Sequence, residues 1–346
     1  MQALILAGGK GTRLRPLTVF TPKPIVPLMN RAFLLYQIEG LKRAGITDII
    51  LSLSYQPGKI EQLLGDGSDF GVTLRYVTES SPLGTAGAYK FAAGSIDRTT
   101  VVLNGDVLTD VDIGSIVKRH LENRAEATVT VKPVEDPRAY GLVEVKDDAR
   151  VARFLEKPDV VDVAELAVNT INAGIYVLEP SVLDLIPSGE NRSFEYHVFP
   201  DLLEKERPFF GFVMRENYWR DIGTPASYLS AHMDFLGGKI KGFEIEKAGP
   251  SDVSPTATVD ERSLLDEGCS VKPHAKIVNS VIGPGVLVEE KAVIENSVIW
   301  GYSRISTAAE ITSSVLARGC HVGRNVVVRS GTVLGDKGSI PDYSLV

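Results

Sequence analysis

Leu6-Ala7-Gly8-Gly9-Lys10-Gly11-Thr12-Arg13-Leu14-Arg15-Pro16-Leu17-Thr18 follows the apolar run Ala3-Leu4-Ile5-Leu6 near the start of the chain. The run reads as a first, buried strand. The three glycines after it let the backbone curl closely around an anion, with N–H groups turned toward it. A Walker A loop would need four residues between a glycine and Gly-Lys-Ser/Thr, and the G-x-G-x-x-G dinucleotide fingerprint fails because Leu14 fills the third glycine position. Two cations follow: Arg13, and Lys23 inside Thr21-Pro22-Lys23-Pro24. Arginine offers a planar donor fork to a diphosphate, and lysine a point charge. A glycine turn alone is a common strand-to-helix connection. The whole string through Pro27 reads as a phosphate-gripping loop.

Beyond the loop, apolar runs alternate with amphipathic segments. Strands are predicted over 48–53, 72–77, 100–103 and 171–178, and helices over 33–44, 57–64, 85–93 and 225–236. Strands followed by helices imply βαβ units, hence an α/β, Rossmann-like and mostly parallel mixed sheet. Between Ala125 and Leu155 the pattern turns strand-rich and reads as a β insertion able to close over a ligand. The Gly237-Gly238 pair suggests a boundary, so the expected division is a catalytic domain over 1–238, a linker over 239–251 and a second domain over 252–346.

That last stretch is different in kind. Leu265, Val271, Ile277, Ile282, Val288, Ile294, Ile299, Ile305, Ile311, Leu316, Val322, Val328, Leu334 and Ile340 recur at intervals of 6, 6 and 5, three times over, then 6 throughout. The repeat is 17 residues, 18 in the final turn, and shows as text in Ser280-Val281-Ile282, Ser297-Val298-Ile299 and Ser314-Val315-Leu316. An inward aliphatic residue at every sixth position marks a left-handed hexapeptide-repeat β-helix. A helix would need a period of 3.6 and a hairpin a period of two.

Composition bounds the chemistry. With 346 residues, 44% hydrophobic and 23% charged, the chain fits an ordinary globular protein. A net charge of −7 with no basic run argues against nucleic-acid or acidic-membrane partners, so an anionic ligand must be held by a few placed cations and a metal. Cys269 and Cys320 are the only cysteines, which leaves no disulfide framework and no thiolate zinc site. No apolar stretch reaches the length of a membrane span, and Met1–Gly9 lacks the basic flank of a signal peptide; a cytoplasmic location is expected. His120, His197, His232, His274 and His321 form no ligand spacing. Asp106, in Leu103-Asn104-Gly105-Asp106-Val107, sits at the carboxyl end of a buried strand, where open α/β sheets place ligands. Asp221, in Trp219-Arg220-Asp221-Ile222-Gly223, is the second candidate carboxylate. Asp110 and Asp112 are nearby competitors, Asp112 reading as a helix N-cap.

Taken with PLGTAGA, LNGDV, EDPRAYGLVEV, FLEKP, NAGIYVL, SFEYHVFPDL and WRDIGTP, the loop resembles the activating motif of the sugar nucleotidyltransferases, in particular the eukaryotic-type GDP-mannose pyrophosphorylases. That resemblance spans nearly the whole chain and includes a C-terminal β-helix. It implies Mg²⁺ on Asp106 and Asp221, with Lys157 gripping the sugar phosphate. It places Leu6, Ala7, Gly8, Gly9, Gly11, Thr12, Glu79, Gly84 and Thr85 at the nucleotide, and Gly141, Glu156, Asn172, Gly174 and Glu195 at the sugar. Relatives that use uridine or thymidine nucleotides often carry Gln where this chain has Glu79. A carboxylate only accepts hydrogen bonds, which suits the adjacent N1–H and N2–H₂ donors of guanine. The implied reaction joins GTP and mannose-1-phosphate. The alternatives are glucose-1-phosphate with UTP, dTTP or ATP, a silent nucleotide-sugar-binding regulatory subunit, and an added acyl transfer by the β-helix. Assembly into a homo-oligomer through the β-helix is also expected.

Overall fold

The computed structural model describes residues 1–79, 81–156, 168–245 and 249–346. Two compact units emerge, each discontinuous in sequence: Met1–Gly9 with Tyr36–Trp219, and Lys10–Leu35 with Arg220–Val346.

The first unit is built on a nine-stranded sheet. Its parallel half comprises β1 (Gln2–Leu6), β2 (Asp48–Leu53), β3 (Thr73–Thr78) and β4 (Thr100–Asn104), in the order β4-β1-β2-β3. The apolar runs of β1, β2 and β4 are buried on both faces: Ala3, Leu4, Ile5, Ile49, Ile50, Leu51, Val101 and Val102 are fully enclosed, while β3 at the end of the row is partly exposed. The helices α1 (Leu34–Arg43), α2 (Pro57–Leu64) and α3 (Gly84–Phe91) fall where the periodicity puts them, and α4 (Ile113–Glu122) follows the candidate cap Asp112. Asp112 caps α4 as expected, its Oδ1 accepting from the Gly114 N–H at 3.0 Å.

The strand-rich stretch is not a separate insertion. It supplies β5 (Ala127–Pro133), β6 (Leu142–Val145) and β7 (Val151–Leu155), all members of the same sheet. The physical reason is β8 (Thr170–Leu178), which lies antiparallel to β4 and shifts register between Asn172 and Tyr176. It pairs with β5 on either side of that shift, with β4 from Ile175 to Leu178 and with β6 at Ile171, which brings all of them into one sheet. Beyond them β7 pairs with β6, and β9 (Phe209–Val213) runs parallel to β5. The sparse aromatics concentrate here. Phe199, opening α5 (Phe199–Glu204), has ring centroids of Phe154, Tyr176, Phe194 and Phe209 within 5.0–5.6 Å.

In the second unit, strands recurring from Asp252 to Ile340 stack into three parallel sheets. The repeat maps onto them residue by residue: Val271 pairs with Val288 and Val288 with Ile305, Ile277 with Ile294 and Ile294 with Ile311, Ile282 with Ile299 and Ile299 with Leu316. From Val271 to Val328 these inward residues are at most 1% exposed. An earlier coil, with Asp252–Val253 and Thr258–Val259, precedes the first residue of the predicted repeat. The five-residue interval marks one corner, where Asn279, Asn296 and Ser313 take positive φ of 44–50°. Serine hydroxyls ladder there. Ser280 Oγ donates to the Val278 carbonyl at 2.8 Å and accepts the Ser297 N–H at 3.1 Å, and Ser297 treats Glu295 and Ser314 alike. The repeated Ser-Val-Ile text therefore encodes a polar corner as well as an apolar layer.

The helix α6 (Pro225–Leu236) belongs to this unit and carries His232, fully buried, whose Nδ1 accepts the Met29 N–H at 3.4 Å. Burial pushes this imidazole down to about 3 from its ordinary 6.5, only partly opposed by the Pro27 carbonyl, so it is neutral in the fold. At high pH both folded and unfolded forms are neutral and the group contributes nothing to the pH dependence. As pH falls through 6.5 the unfolded chain takes a proton that the folded one refuses, and stability drops by up to about 1.4 kcal/mol per pH unit until the folded pKa is reached. His120, lowered by burial against its Glu179 partner, acts with the same sign. Urea unfolding between about pH 6 and about pH 4.5 should show a pH slope shallower by close to one proton in His232→Gln than in the parent. An unchanged slope would assign the acid sensitivity to other groups.

Candidate active site

In the first unit the carboxyl ends of β1, β2, β3 and β4 share one edge of the sheet. Gly105, just beyond β4, donates its N–H to the Leu6 carbonyl at 2.9 Å, and a Cβ there would lie 2.6 Å from that oxygen. Only glycine allows this approach, which sets Asp106 beside the start of the glycine loop. Ala7 N–H is bound by the Ser52 carbonyl at 2.9 Å, and Ser54 donates its hydroxyl to the Gly8 carbonyl. The loop is thus pinned at its root while Gly9 stands exposed.

Most of the remaining expected residues of this unit are tied to one another or to close neighbours. Glu79 is buried, 8% exposed: one carboxylate oxygen accepts from Ser52 Oγ at 2.8 Å and the other from the Leu83 N–H at 3.1 Å. It shapes the loop leading into Gly84, which has φ of 72° and lies so close to the Arg192 carbonyl that a Cβ would fall 2.5 Å from it. Thr85 donates to Glu195 Oε2 at 2.9 Å, and Tyr176 donates to Glu195 Oε1 at 3.2 Å. Glu195 sits in a single π-helical turn, Phe194–Val198. Asn172 donates to the Tyr176 hydroxyl at 2.9 Å and accepts from the Gly174 N–H at 3.0 Å. Its own N–H reaches the Gly141 carbonyl at 2.8 Å, and Gly141 packs against the Glu156 carboxylate where any side chain would stand. Lys157 lies outside the described residues.

Tyr176 and Asn104 escaped the sequence reading. Tyr176 is fully buried, and burial together with the Glu195 charge pushes its phenol well above the ordinary value, so it stays a donor. In the sequence it is one more aromatic in an apolar strand. Asn104 offers a clearer signal, a polar residue ending a buried strand. Its Oδ1 is enclosed without a partner among the described residues, and its Nδ2 would lie 2.8 Å from a Cβ at Gly174. Asp110, by contrast, holds structure: it accepts the Tyr218 N–H at 2.8 Å.

The second unit gathers the other expected residues around two glycines. At Gly11, φ 61°, a Cβ would lie 3.0 Å from Lys23 Cβ and 3.2 Å from Thr18 Cγ2. Thr18 closes this turn by donating to the Gly11 carbonyl at 2.7 Å. At Gly223 a Cβ would lie 2.7 Å from Asp221 Oδ2 and 3.1 Å from an Arg13 Nη. The Asp221 carboxylate and the Arg13 guanidinium therefore line the same glycine, with Thr12 and Arg13 exposed. Among the described residues no group of three or more His, Cys, Asp or Glu could hold a metal. A magnesium ion needs fewer, since one or two carboxylates suffice when phosphate oxygens and water complete its shell.

The nucleotidyl transferase family model matches residues 2–237, and residues 245–345 match that of the EIF2B subunit epsilon LbH domain. The chain belongs to the nucleotidyl transferase family. Its β-helix is of the left-handed type that the second match describes. It is 38% identical to a mannose-1-phosphate guanylyltransferase of Mycobacterium tuberculosis, over 85% of this chain and 83% of that one. It is 37% identical to a mannose-1-phosphate guanyltransferase of Yarrowia lipolytica, over 87% and 91%. A UTP–glucose-1-phosphate uridylyltransferase of Synechocystis is 33% identical over 99% and 92%. Among the described residues, no helix is long and apolar enough to cross a membrane.

Within this family member, Tyr176→Phe keeps the ring but leaves Asn172 Nδ2 and Glu195 Oε1 without their shared partner. A loss of about 1–3 kcal/mol in unfolding free energy is expected from urea titration. A change within experimental error would mean that water replaces the hydroxyl.

Proposed function

We propose that the protein is a mannose-1-phosphate guanylyltransferase, forming GDP-mannose and pyrophosphate from GTP and mannose-1-phosphate. The observation that carries this reading is the likeness, at 37–38% identity over most of each chain, to enzymes named for that reaction in a bacterium and a yeast. Glu79 supports the base. Its carboxylate is aimed by Ser52 and Leu83, and each oxygen retains capacity for a further hydrogen bond such as the guanine N1–H or N2–H₂ would donate. A second reading, glucose-1-phosphate with UTP, rests on the uridylyltransferase likeness.

In the proposed reaction an oxygen of the sugar phosphate, already ionised, attacks the α-phosphorus in line, and pyrophosphate leaves from the far side. No nucleophilic side chain is required, so the protein's part is positioning and charge neutralisation. The glycine loop turns its N–H groups toward the triphosphate. Arg13 and Lys23 stabilise the charge that builds on the departing pyrophosphate. Lys157 holds the attacking phosphate, and Glu156, Asn172 and Glu195 orient the sugar hydroxyls. Asp106 and Asp221 are hard oxygen donors suited to Mg²⁺, which when bound would neutralise phosphate charge.

Arg13→Ala should lower kcat by about a hundredfold or more while leaving the urea midpoint unchanged, because the guanidinium is exposed. Near-parental turnover by a folded Arg13→Ala protein would remove Arg13 from the mechanism. Glu79→Gln should shift the ratio of kcat/KM for GTP over UTP toward UTP by about tenfold or more. An unchanged ratio would show that guanine is read elsewhere.

A further inference from the structure

The β-helix repeat contains one departure. After the inward aliphatic residue of one corner, successive coils place Asp266, Gly283, Trp300, Ala317 and Gly335, four small or short residues and one indole. Trp300 is 4% exposed and therefore buries its ring outside the β-helix's own interior, which Ile299 fills. Its Nε1–H donates to the Tyr228 hydroxyl at 2.9 Å, with the two rings edge to face at 6.4 Å. Tyr228 is fully buried in the first turns of α6 and donates in turn to the Pro27 carbonyl. One coil earlier Asn30 Nδ2 donates to the Ile282 carbonyl at 3.0 Å, and a Cβ at Gly335 would lie 3.1 Å from Pro16 Cβ. With the Met29–His232 bond, these contacts fasten residues 16–30 to one column of the β-helix and to α6.

What is fastened matters. Residues 10–35 carry Arg13 and Lys23, and they cluster with the β-helix in one compact unit. The same α6 is preceded directly by Asp221 and Gly223, against which Arg13 lies. A shift of α6 would displace Asp221 and the Pro27 anchor together.

We infer that Trp300 and Tyr228 are positioning residues for the pyrophosphate grip, so that the β-helix is a working part of the transferase and not an appendage to it. The indole N–H fixes the phenol. The phenol fixes the Pro27 carbonyl four residues after Lys23, and the segment bearing both cations is thereby held in one conformation. This rests on the reading of Arg13 and Lys23 given above. Buried hydrogen bonds of this kind suit such a task, because losing one leaves a partner unsatisfied and the geometry free to relax. Small displacements of charge-stabilising groups reduce turnover strongly, even from a distance.

The test uses the full chain with Trp300→Phe, which keeps an aromatic ring and removes the donor, and Tyr228→Phe, which removes both links. Both directions of the reaction are followed. Expected is a fall in kcat of about tenfold or more and a rise in KM for pyrophosphate of about fivefold or more in the reverse direction, with KM for the sugar phosphate unchanged within about twofold. Urea titration run alongside separates this from unfolding: activity lost only in proportion to folded protein, or KM values rising together for every substrate, would overturn the inference. Parental kinetics in both variants would overturn it as well. Arg13→Ala keeps the two levels apart. If that variant is dead while the Trp300 and Tyr228 variants are normal, this inference alone falls. If Arg13→Ala is active, the reading beneath it falls.

Discussion

Gly105 brings its N–H to the Leu6 carbonyl at 2.9 Å, through a gap that no other residue would leave open. Much of the site in the first unit depends on that contact. It ties the end of β4 to the end of β1, so the glycine loop and Asp106 leave the sheet side by side. The parallel order β4-β1-β2-β3 then adds Ser52 in β2, Ser54 just after it and Glu79 just after β3 along the same edge. An open sheet with parallel strands presents its chemistry at one edge, and here the edge is made by backbone approach before any charged side chain takes part.

Around this edge the polar groups are tied to one another. Thr85, Glu195, Tyr176, Asn172 and Gly174 form a continuous series of bonds, backed by the aromatic cluster on Phe199. Groups held so firmly lose little freedom when a ligand binds, which is the physical content of preorganisation. Glu79 illustrates the cost of reading a residue by type alone. It is not a solvated carboxylate, since its charge is partly met by Ser52 and Leu83.

The legible parts of the sequence were those governed by a short-range rule. The β-helix followed from a period, and its inward residues fall on the three sheets as that period requires. The first strand, the glycine turn and the Asp112 cap followed from local chemistry. What escaped was long-range. Whether 127–155 forms an insert or joins the sheet is decided by pairing with β8, Asn172 with Val131 and Ile171 with Leu142, partners far apart in sequence. Tyr176 escaped because a buried phenol with two partners looks, in sequence, like core. The grouping of residues 10–35 with the β-helix escaped because its anchors, Tyr228 and Trp300, lie about two hundred or more positions from Pro27.

A fold that transfers a guanylyl group to a mannose phosphate must show that preference in turnover. A pyrophosphate-release assay with Mg²⁺ tests it most directly, crossing GTP, UTP, dTTP and ATP with mannose-1-phosphate and glucose-1-phosphate. Expected is the highest kcat/KM for GTP with mannose-1-phosphate, by about tenfold or more over every other pair. Highest turnover of UTP with glucose-1-phosphate, or no pyrophosphate from any pair, would contradict it.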